Sequence, residues 1–356
     1  MDISKIDKNF AVETIKNYED KFDAYAIPNS KTDLYGVFYE NDKFVRLPKE
    51  VASNTSEGVL RLYSNTSGGR VRFSTNSKTI GIVAKWENKR CFSHMSATGV
   101  CGFTLIENFE NGENHYVATF VPPVDSPNGY ESQTSLGDEK LRYFTIYFPL
   151  YNDVNELYIL IDKGCTLDKG LPYKEVKPIL YYGSSITQGG CASRPDNSYP
   201  AMISKWNNVD YINLGFAGNG RGEESMIKYI ASLDVSLFVC DYDHNAPDVE
   251  FLKNTHYNVY KTYREINKDT PILFISKPDW FKWKGDAKAR FKVIKETYKK
   301  AKANGDNNVY LLNGKTFFKK DYDLCTVDFT HPNDLGFYFM AKGVIKKFGK
   351  INEFLK

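Results

Sequence analysis

The sequence lacks the features that mark several classes of protein. Its six cysteines form no C-x-x-C pair, which argues against a zinc knuckle or a redox dithiol and predicts free thiols. Basic and acidic residues are interspersed, and a formal net charge of +3 offers no basic surface for nucleic acid. The first 22 residues contain no apolar run of signal-peptide or anchor length, so we expect a cytoplasmic protein without a membrane partner, unless a leader has been removed.

The length and composition are those of a two-domain globular protein. With 356 residues, of which 42% are hydrophobic, the chain can build more than one core. The residue pattern changes after the segment Lys169-Gly170-Leu171-Pro172. We therefore predict one domain at 1–172 and a second at 173–356.

The first half has the pattern of antiparallel strands. Short runs rich in Val, Ile, Thr, Phe and Tyr alternate with turn segments such as Asn65-Thr66-Ser67-Gly68-Gly69. This alternation predicts an all-β domain, either a sandwich or a jelly roll. The predicted strands are GVFYE, VLRLYS, RVRFST, TIGIVAKW, GFTLIE, YVATFV, RYFTIYF and ELYILID.

The second half alternates apolar strands with segments of helical periodicity, which is typical of β-α units and a parallel sheet. In such sheets ligands bind beyond the carboxyl ends of the strands, so the loops that follow the strands are where chemistry is expected. Five strands are predicted, at 178–182, 209–214, 236–242, 271–276 and 309–312. Helices are predicted at 199–206, 223–232, 248–267 and 284–303, with a last one after Asn333.

Two adjacent serines, Ser184 and Ser185, follow Gly183 directly behind the first of these strands. A serine at this edge could act as a nucleophile, although serines at helix starts are more often caps. The segment VDFTHPND, far along the chain, holds the partners that a serine nucleophile needs. His331 could take the hydroxyl proton and Asp328 could orient the ring, although such a pair alone is more often structural.

The loops after the second and third strands offer hydrogen-bond donors at the same edge. They read NLGFAGNGRG and CDYDHNAP. Acyl transfer needs donors that stabilise an oxyanion, and the backbone N–H of Gly218 and the side-chain amide of Asn245 suit that role.

Four blocks, GSSIT, NLGFAG, the HN of DYDHN, and DFTHP, resemble in this order the blocks of the SGNH (GDSL-type) hydrolase superfamily. The match spans residues 178–340. The resemblance implies a flavodoxin-like α/β/α three-layer domain with a five-stranded parallel sheet. It makes Ser185 the nucleophile, completes a triad with His331 and Asp328, and forms the oxyanion hole from the Ser185 N–H, Gly218 and Asn245.

The first half is also similar to a known domain, through GFTLIEN and TIYFPLYNDVNELYILID. These segments resemble the jelly roll that precedes the hydrolase domain in a bacterial subgroup of the superfamily, which includes two-domain carbohydrate acetylesterases. That resemblance implies an accessory β-sandwich domain in front of the catalytic domain.

Two positions depart from the superfamily pattern. Ser184 stands where an aspartate usually precedes the nucleophile, and Asp243 stands where a glycine usually lies two residues before the oxyanion-hole asparagine. Both changes alter the polar surroundings of the site without removing a catalytic group. Ser184, Asp243 and His244 are therefore candidates for substrate contact, and so are Trp280 and Trp283 in the loop SKPDWFKWKG.

Two other interpretations of these loops are weaker. The glycines between Gly215 and Gly222 follow the second strand and lack the G-x-G-x-x-G order of a dinucleotide site. Asp241, Asp243 and His244 are nearly adjacent on a strand, where side chains alternate between faces, so they are poor candidates for a common metal ion. We expect neither a cofactor nor a metal.

The sequence thus predicts a serine esterase that removes a small acyl group, with acetyl expected, from a small-molecule or oligosaccharide ester. The polar loops QGGCASRPDNSYP and DHNAPD favour a polar substrate. The alternatives are a lipid or thioester acylhydrolase, an O-acetyltransferase, and a carbohydrate-binding protein without enzyme activity.

Overall fold

The computed structural model describes residues 18–281, 283, 285–349 and 351. The first 17 residues and the predicted helix start at 284 lie outside the described residues. Because the compartment prediction rests largely on that N-terminal segment, it stays a prediction.

The N-terminal half is a pair of antiparallel sheets, as predicted. Residues from both sheets, such as Phe73 and Ile82, belong to one buried apolar cluster, so the sheets pack face to face. One sheet has the strand order β1 (Phe22–Ile27), β11 (Glu156–Asp162), β6 (Thr79–Lys85) and β9 (Gly129–Ser135). The other has the order β12 (Leu167–Lys169), β5 (Arg70–Thr75), β10 (Arg142–Tyr147), β7 (Phe103–Asn108) and β8 (Asn114–Phe120), with β2 (Asp33–Tyr35) also paired to β5.

The strands that the sequence pattern missed here include the edges of the first sheet. β1 and β9 each pair on one side only, and their sequences FDAYAI and GYESQTS carry few large apolar residues. An edge strand needs less apolar surface than a central one, which makes its pattern weaker. A hairpin of β3 (Phe38–Glu40) and β4 (Lys43–Val45) lies outside both sheets.

The predicted strand VLRLYS is wrong, because this segment lies in helix α2 (Glu57–Leu62). The Ser56 side chain accepts a hydrogen bond from the Val59 N–H and so caps the helix. The buried residues Val59 and Leu62 are three apart, which places them on one helical face. Helix α1 (Lys49–Thr55) precedes it, and the short α3 (Ala97–Val100) follows later in this half.

The C-terminal half is a five-stranded parallel sheet, also as predicted. Its strand order is β14 (Tyr211–Gly215), β13 (Ile179–Gly183), β15 (Leu237–Asp241), β16 (Ile272–Ile275) and β17 (Val309–Leu312). Each strand begins and ends within two residues of its predicted bounds. The helices are α4 (Ser185–Gln188), α5 (Tyr199–Asn207), α6 (Glu224–Ser232), α7 (Val249–Ile266), α8 (Ala287–Ala303), α9 (Lys315–Phe318) and α10 (Asp334–Phe348).

Helices cover both faces of this sheet. Alternate residues of β13 point to opposite sides, so Ile179 and Tyr181 join the cluster that contains α5 and α10. Leu180 and Tyr182 join the cluster that contains α6, α7 and α8. The result is the predicted α/β/α three-layer arrangement. None of the helices in the described residues has the length and apolar character needed to cross a bilayer.

The buried clusters do not follow the predicted boundary between the halves. Ala52 and Leu62, from α1 and α2, pack in the same cluster as α6 to α8 of the C-terminal half. The sandwich core is likewise continuous with the α5 and α10 side of the parallel sheet. The division at 172 stays a prediction, and the two halves share apolar packing wherever it is drawn.

Two buried arginines link the halves through hydrogen bonds. Arg46 is 2% exposed and donates to the carbonyl oxygens of Asn213 (3.1 Å), Gly215 (2.8 Å) and Leu62 (3.0 Å). Arg70 lies 4.0 Å above the Tyr211 ring and pairs with the Asp210 carboxylate at the start of β14. Because both arginines bond to residues at or next to β14, the N-terminal half fixes one edge of the parallel sheet.

Candidate active site

The turn between β13 and α4 presents the two adjacent serines. The Ser184 hydroxyl accepts from the Ile186 N–H at 3.1 Å and caps α4, and the Ser184 N–H donates to Thr187 Oγ1 at 3.2 Å. Ser184 is 1% exposed. Its side chain is therefore occupied inside the turn, whereas Ser185, the next residue, is partly exposed at the first position of the helix.

A buried carboxylate beneath this turn holds it in place. Asp241, the last residue of β15, accepts hydrogen bonds from the hydroxyls of Thr187 and Tyr199, the second at 2.8 Å. Burial raises the pKa of Asp241 to about 6. A Cβ on Gly183 would lie only 1.9 Å from Asp241 Oδ1, so the turn requires glycine there. The sequence interpretation missed this role of Asp241, which it placed within the predicted strand at 236–242 and weighed only as a metal ligand.

The structure brings Ser185, His331 and Asp328 together. Ser185 Oγ lies 2.9 Å from His331 Nε2, across 146 residues of sequence. His331 Nδ1 lies 2.8 Å from Asp328 Oδ2. This chain of two hydrogen bonds has the geometry in which a carboxylate orients an imidazole toward a serine hydroxyl.

The loop that carries Asp328 and His331 is held by its own backbone. The N–H groups of His331 and Thr330 donate to Asp328 Oδ1 at 2.7 and 3.0 Å. The Asn333 side chain caps α10 by accepting from the Gly336 N–H at 3.1 Å. Partial burial acts to raise the pKa of Asp328, but the bonds from His331 hold that pKa below its ordinary value. Asp328 is thus a carboxylate at neutral pH.

Gly218 and Asn245 also meet at this edge, but they bond to each other. The Gly218 N–H donates to Asn245 Oδ1 at 3.0 Å, and Asn245 Nδ2 donates to the carbonyl oxygens of Phe216 (2.8 Å) and Gly220 (2.9 Å). Gly218 has a φ of +70° and open space where a Cβ would stand. Asn245 therefore organises the loop after β14, and its assignment as an oxyanion donor stays a prediction.

Asp243 and His244 connect the loops after β15 and β16. Asp243 is 1% exposed and accepts from the Lys277 N–H at 3.0 Å, and burial raises its pKa to about 6. His244 Nε2 lies 3.3 Å from Asp279 Oδ1, close enough for an ion pair but without hydrogen-bond alignment. These contacts are within the protein, and contact of either residue with substrate stays a prediction.

Phe281, which lies between the two predicted tryptophans, is linked to the triad loop through Tyr322. Trp280 packs against Phe291 of α8 at 5.7 Å, and Trp283 is 86% exposed. Phe281 stacks on Tyr322 with 4.3 Å between ring centroids, and Tyr322 lies 6.4 Å from Phe329, next to Asp328. The sequence showed that the loop SKPDWFKWKG is rich in aromatic residues, but not which of its rings packs toward the triad loop.

The N-terminal half contributes residues that the sequence interpretation did not single out. Tyr151 donates from its hydroxyl to the Ser185 carbonyl oxygen at 3.1 Å. The ring of His94 lies 5.6 Å from that of His331. Gln188 in α4 donates to the Leu150 carbonyl oxygen at 3.1 Å. Their spacing in the sequence carried no motif, because each acts through a contact that only the folded chain creates.

Comparisons with known proteins find a related family for each half of the chain. Residues 176–348 match the GDSL-like lipase/acylhydrolase family, and residues 24–167 match GxDLY, the N-terminus of SGNH hydrolase-type esterases. Together these two matches account for most of the chain. No curated protein matches the sequence.

Solved structures share the fold over nearly the whole length. A GDSL-like protein from Bacteroides ovatus is 27% identical, with a TM-score of 0.82 over 92% of this chain and 98% of that one. The salicylyl-acyltransferase SsfX3 from a tetracycline biosynthetic pathway is 16% identical, with a TM-score of 0.77 over 96% and 100%. An acetyl xylan esterase from Butyrivibrio proteoclasticus is 14% identical, with a TM-score of 0.58 over 94% and 100%. Residues 176–348 therefore form a domain of the GDSL-like lipase/acylhydrolase family, and residues 24–167 form the N-terminal region that accompanies SGNH hydrolase-type esterases.

Proposed function

We propose that this protein is a serine esterase that removes a small acyl group, with acetyl as the first candidate, from a carbohydrate or similar polar alcohol. The observation that carries the proposal is the hydrogen-bonded chain from Ser185 Oγ to His331 and from His331 to Asp328. Membership of a hydrolase family supports ester cleavage as the reaction class.

The proposed mechanism has two chemical steps. Ser185 Oγ attacks the ester carbonyl carbon while His331 Nε2 takes the hydroxyl proton, and Asp328 stabilises the resulting imidazolium. The tetrahedral intermediate collapses as His331 returns that proton to the leaving alcohol. Water, deprotonated by His331, then attacks the acyl-enzyme, releases the carboxylic acid and regenerates Ser185. Neither step calls for a cofactor or a metal ion.

The oxyanion is assigned to the Ser185 N–H, the Gly218 N–H and Asn245. The Ser185 N–H lies at the first position of α4, where a helix offers no acceptor of its own. The Gly218 N–H, by contrast, would exchange its bond to Asn245 Oδ1 for one to the oxyanion. The open space beside Gly218 supports access of a substrate oxygen to this N–H. Such donors act in the transition state, where they contribute most.

The choice of a polar alcohol as substrate rests on the composition of the loops around the site and on the names of the structures that share this fold. The loops after β13 and β15 are rich in Asn, Asp, Ser and Arg, which suits a hydrated substrate. The similar structures include proteins named as an acetyl xylan esterase and a family two carbohydrate esterase, at 14% and 15% identity. At that identity the likeness supports the fold, and the substrate class remains our proposal.

One feature favours a second candidate, a larger or more apolar acyl group or acceptor. Three residues in and before the triad loop expose apolar side chains: Leu324 (62%), Val327 (50%) and Phe329 (52%). An apolar acyl chain or an aromatic acceptor could pack against them. The similar structure named as a salicylyl-acyltransferase makes transfer to an alcohol the corresponding alternative reaction.

The deciding experiment compares rates of hydrolysis of nitrophenyl acetate and nitrophenyl octanoate by the wild type, with Ser185→Ala as the background control. Our proposal predicts a higher kcat/KM for the acetate and loss of both activities in Ser185→Ala. A clear preference for the octanoate would favour the apolar candidate, and transfer to an added alcohol in preference to water would favour a transferase. Folded wild type without turnover of either ester would leave a binding protein as the better description.

A further inference from the structure

A cluster of three metal-ligating side chains joins the triad histidine to two residues, His94 and Cys191, that have no role in the proposed mechanism. Among the described residues, His94, Cys191 and His331 place one ligand atom each within 4.8 Å of the others. They come from three separate segments: a loop of the N-terminal half, the loop after α4, and the triad loop. Their convergence is therefore a product of the fold rather than of local sequence.

The ligand types in this cluster suit zinc and its neighbours. Imidazole nitrogen and cysteine sulfur are the preferred donors for Zn²⁺, and a site with two histidines and one cysteine leaves a fourth position for water. His331 is suited to this role, because Asp328 holds its Nδ1 and Nε2, now facing Ser185 Oγ at 2.9 Å, is left as the nitrogen that can bind a metal. A carboxylate on the far nitrogen is the usual support of a zinc-bound histidine.

The backbone at Cys191 supplies an independent observation. Cys191 has a φ of 71°, in the left-handed region that costs a side-chain-bearing residue of order 1 kcal/mol or more. It is 8% exposed, and its thiol donates to the carbonyl oxygen of His94 at 3.4 Å. The fold thus holds the Cys191 backbone in an unfavourable conformation, and the thiol lies near the imidazoles of His94 and His331.

We propose that His94, Cys191 and His331 form an inhibitory binding site for Zn²⁺ or a similar divalent cation. Zinc bond lengths of about 2.0–2.3 Å require ligand atoms about 3.3–3.8 Å apart, so the exposed His94 side chain rotates inward on binding. The Cys191 thiol loses its proton to solvent as sulfur bonds the metal. His331 Nε2 exchanges its hydrogen bond with Ser185 Oγ for a bond to the metal, and the hydroxyl keeps its proton.

The consequence for catalysis rests on the proposed function, whereas the binding itself does not. A histidine whose Nε2 lone pair is bound to a metal cannot accept the Ser185 proton, so the esterase would be reversibly switched off. Because His94 belongs to the N-terminal half, that half would control the site without taking part in the reaction.

The test measures binding first and activity second, on the tag-free full chain. Co²⁺ added to the wild type should produce a thiolate-to-cobalt charge-transfer band, and Zn²⁺ should displace it. His94→Ala and Cys191→Ser should each weaken Zn²⁺ binding at least about 10-fold, whereas Ser185→Ala should bind as the wild type does. His115→Ala and Cys165→Ser, an exposed histidine and a remote thiol of the same half, are the matched controls and should change nothing.

If the protein is an esterase, Zn²⁺ should inhibit the wild type and a chelator should restore its activity, while the rate of His94→Ala, relative to its own metal-free rate, should not respond to Zn²⁺. Equal Zn²⁺ affinity in the wild type and folded Cys191→Ser, or the absence of the cobalt band, would overturn the site. If the protein gives the cobalt band but hydrolyses no ester, the metal site is supported and only the proposed function is contradicted.

Discussion

The two halves of the molecule relate to the site in different ways. The C-terminal half carries Ser185, His331 and Asp328 at the carboxyl edge of its parallel sheet. The N-terminal half meets the same turn from outside, through the Tyr151 hydroxyl and the ring of His94, and holds β14 through Arg46. The proposed catalytic residues lie in one half, whereas contacts that support their geometry come from both, so we expect variants in the two halves to have different effects.

Among variants that test this difference between the halves, we expect the largest loss, a loss of activity, for Asn245→Ala in the C-terminal half. The substitution removes the acceptor that holds the Gly218 N–H and one donor from the carbonyl oxygens of Phe216 and Gly220, although the Phe216 oxygen keeps its bonds from two backbone N–H groups. We expect kcat to fall by about 10² to 10³, as for the loss of an oxyanion donor, while the fold survives. Steady-state kinetics on an ester substrate measures this.

Asn219→Ala is the matched control, because Asn219 lies in the same loop and its side-chain amide donates to the Ala217 carbonyl oxygen at 2.6 Å. It should retain most of the activity. A fall of less than about threefold in Asn245→Ala would remove Asn245 from the oxyanion hole.

The next effect is expected for Arg46→Met, which breaks the buried link between the halves. Three buried carbonyl oxygens lose the Arg46 donor, although the Leu62 oxygen still accepts from the Asn65 N–H at 3.1 Å. Each buried acceptor left unsatisfied costs about 1–3 kcal/mol, so we expect a net loss of about 3 kcal/mol after some relaxation. Urea unfolding should show a single transition at a lower midpoint, because the halves share their cores. The control is Arg61→Met, which replaces an exposed arginine of α2 and should leave the midpoint unchanged. Two separate unfolding transitions in the wild type would contradict the shared packing of the halves.

A smaller effect is expected for Asp241→Asn, and it depends on pH. The pKa of Asp241 is raised by burial from 3.8 to about 6, so the folded state binds its proton more tightly than the unfolded state does. The stability from this group is fully present below pH 3.8 and is lost as pH rises through 6. Asn lacks this titration, so relative to wild type the variant should gain about 2 kcal/mol between about pH 4.5 and about pH 7.5.

Unfolding by urea at the two pH values measures this difference. Asp234→Asn, an exposed carboxylate of the same half, serves as the control and should show no such gain. A difference between variant and wild type that stays constant with pH would mean that Asp241 does not titrate in this range.

The smallest effect is expected for Tyr151→Phe in the N-terminal half. One hydrogen bond to the Ser185 carbonyl oxygen is lost, worth about 1 kcal/mol, and kcat/KM should change less than about threefold. Tyr130→Phe removes a similar bond inside the sandwich, from the hydroxyl to the Phe120 carbonyl oxygen at 2.6 Å, and is the control. If kcat/KM fell by about 100-fold in Tyr151→Phe but not in Tyr130→Phe, the N-terminal half would take part in catalysis, and the proposed difference between the halves would be wrong.

The sequence predicted the C-terminal half more completely than the first half, for physical reasons. Buried parallel strands are short continuous apolar runs, and their bounds came out within two residues. The convergence of Ser185 with His331 was predictable because each lies in a recognisable block at a strand end or helix start. In the first half, the segment VLRLYS has the β-propensity of a strand, but Val59 and Leu62 are buried from one face of a helix, in a cluster shared with the C-terminal half.

Other features of the site could not be predicted because they depend on orientation or on long-range contact. The amide of Asn245 was predicted to face the substrate, but three carbonyl oxygens nearby attract its Nδ2, with the nearest at 2.8 Å. Ser184 was a candidate for substrate contact and instead caps α4. The approach of His94 to His331 follows from how the halves dock, which no local pattern encodes.

The central claim is that His331 activates Ser185 for attack on an acyl carbon, and labelling with a fluorophosphonate probe tests it most directly. Our account predicts one labelled peptide that contains Ser185, and labelling slowed by at least about 100-fold in His331→Ala but not in His115→Ala. Labelling of a different residue, or equal rates in folded His331→Ala and wild type, would contradict it.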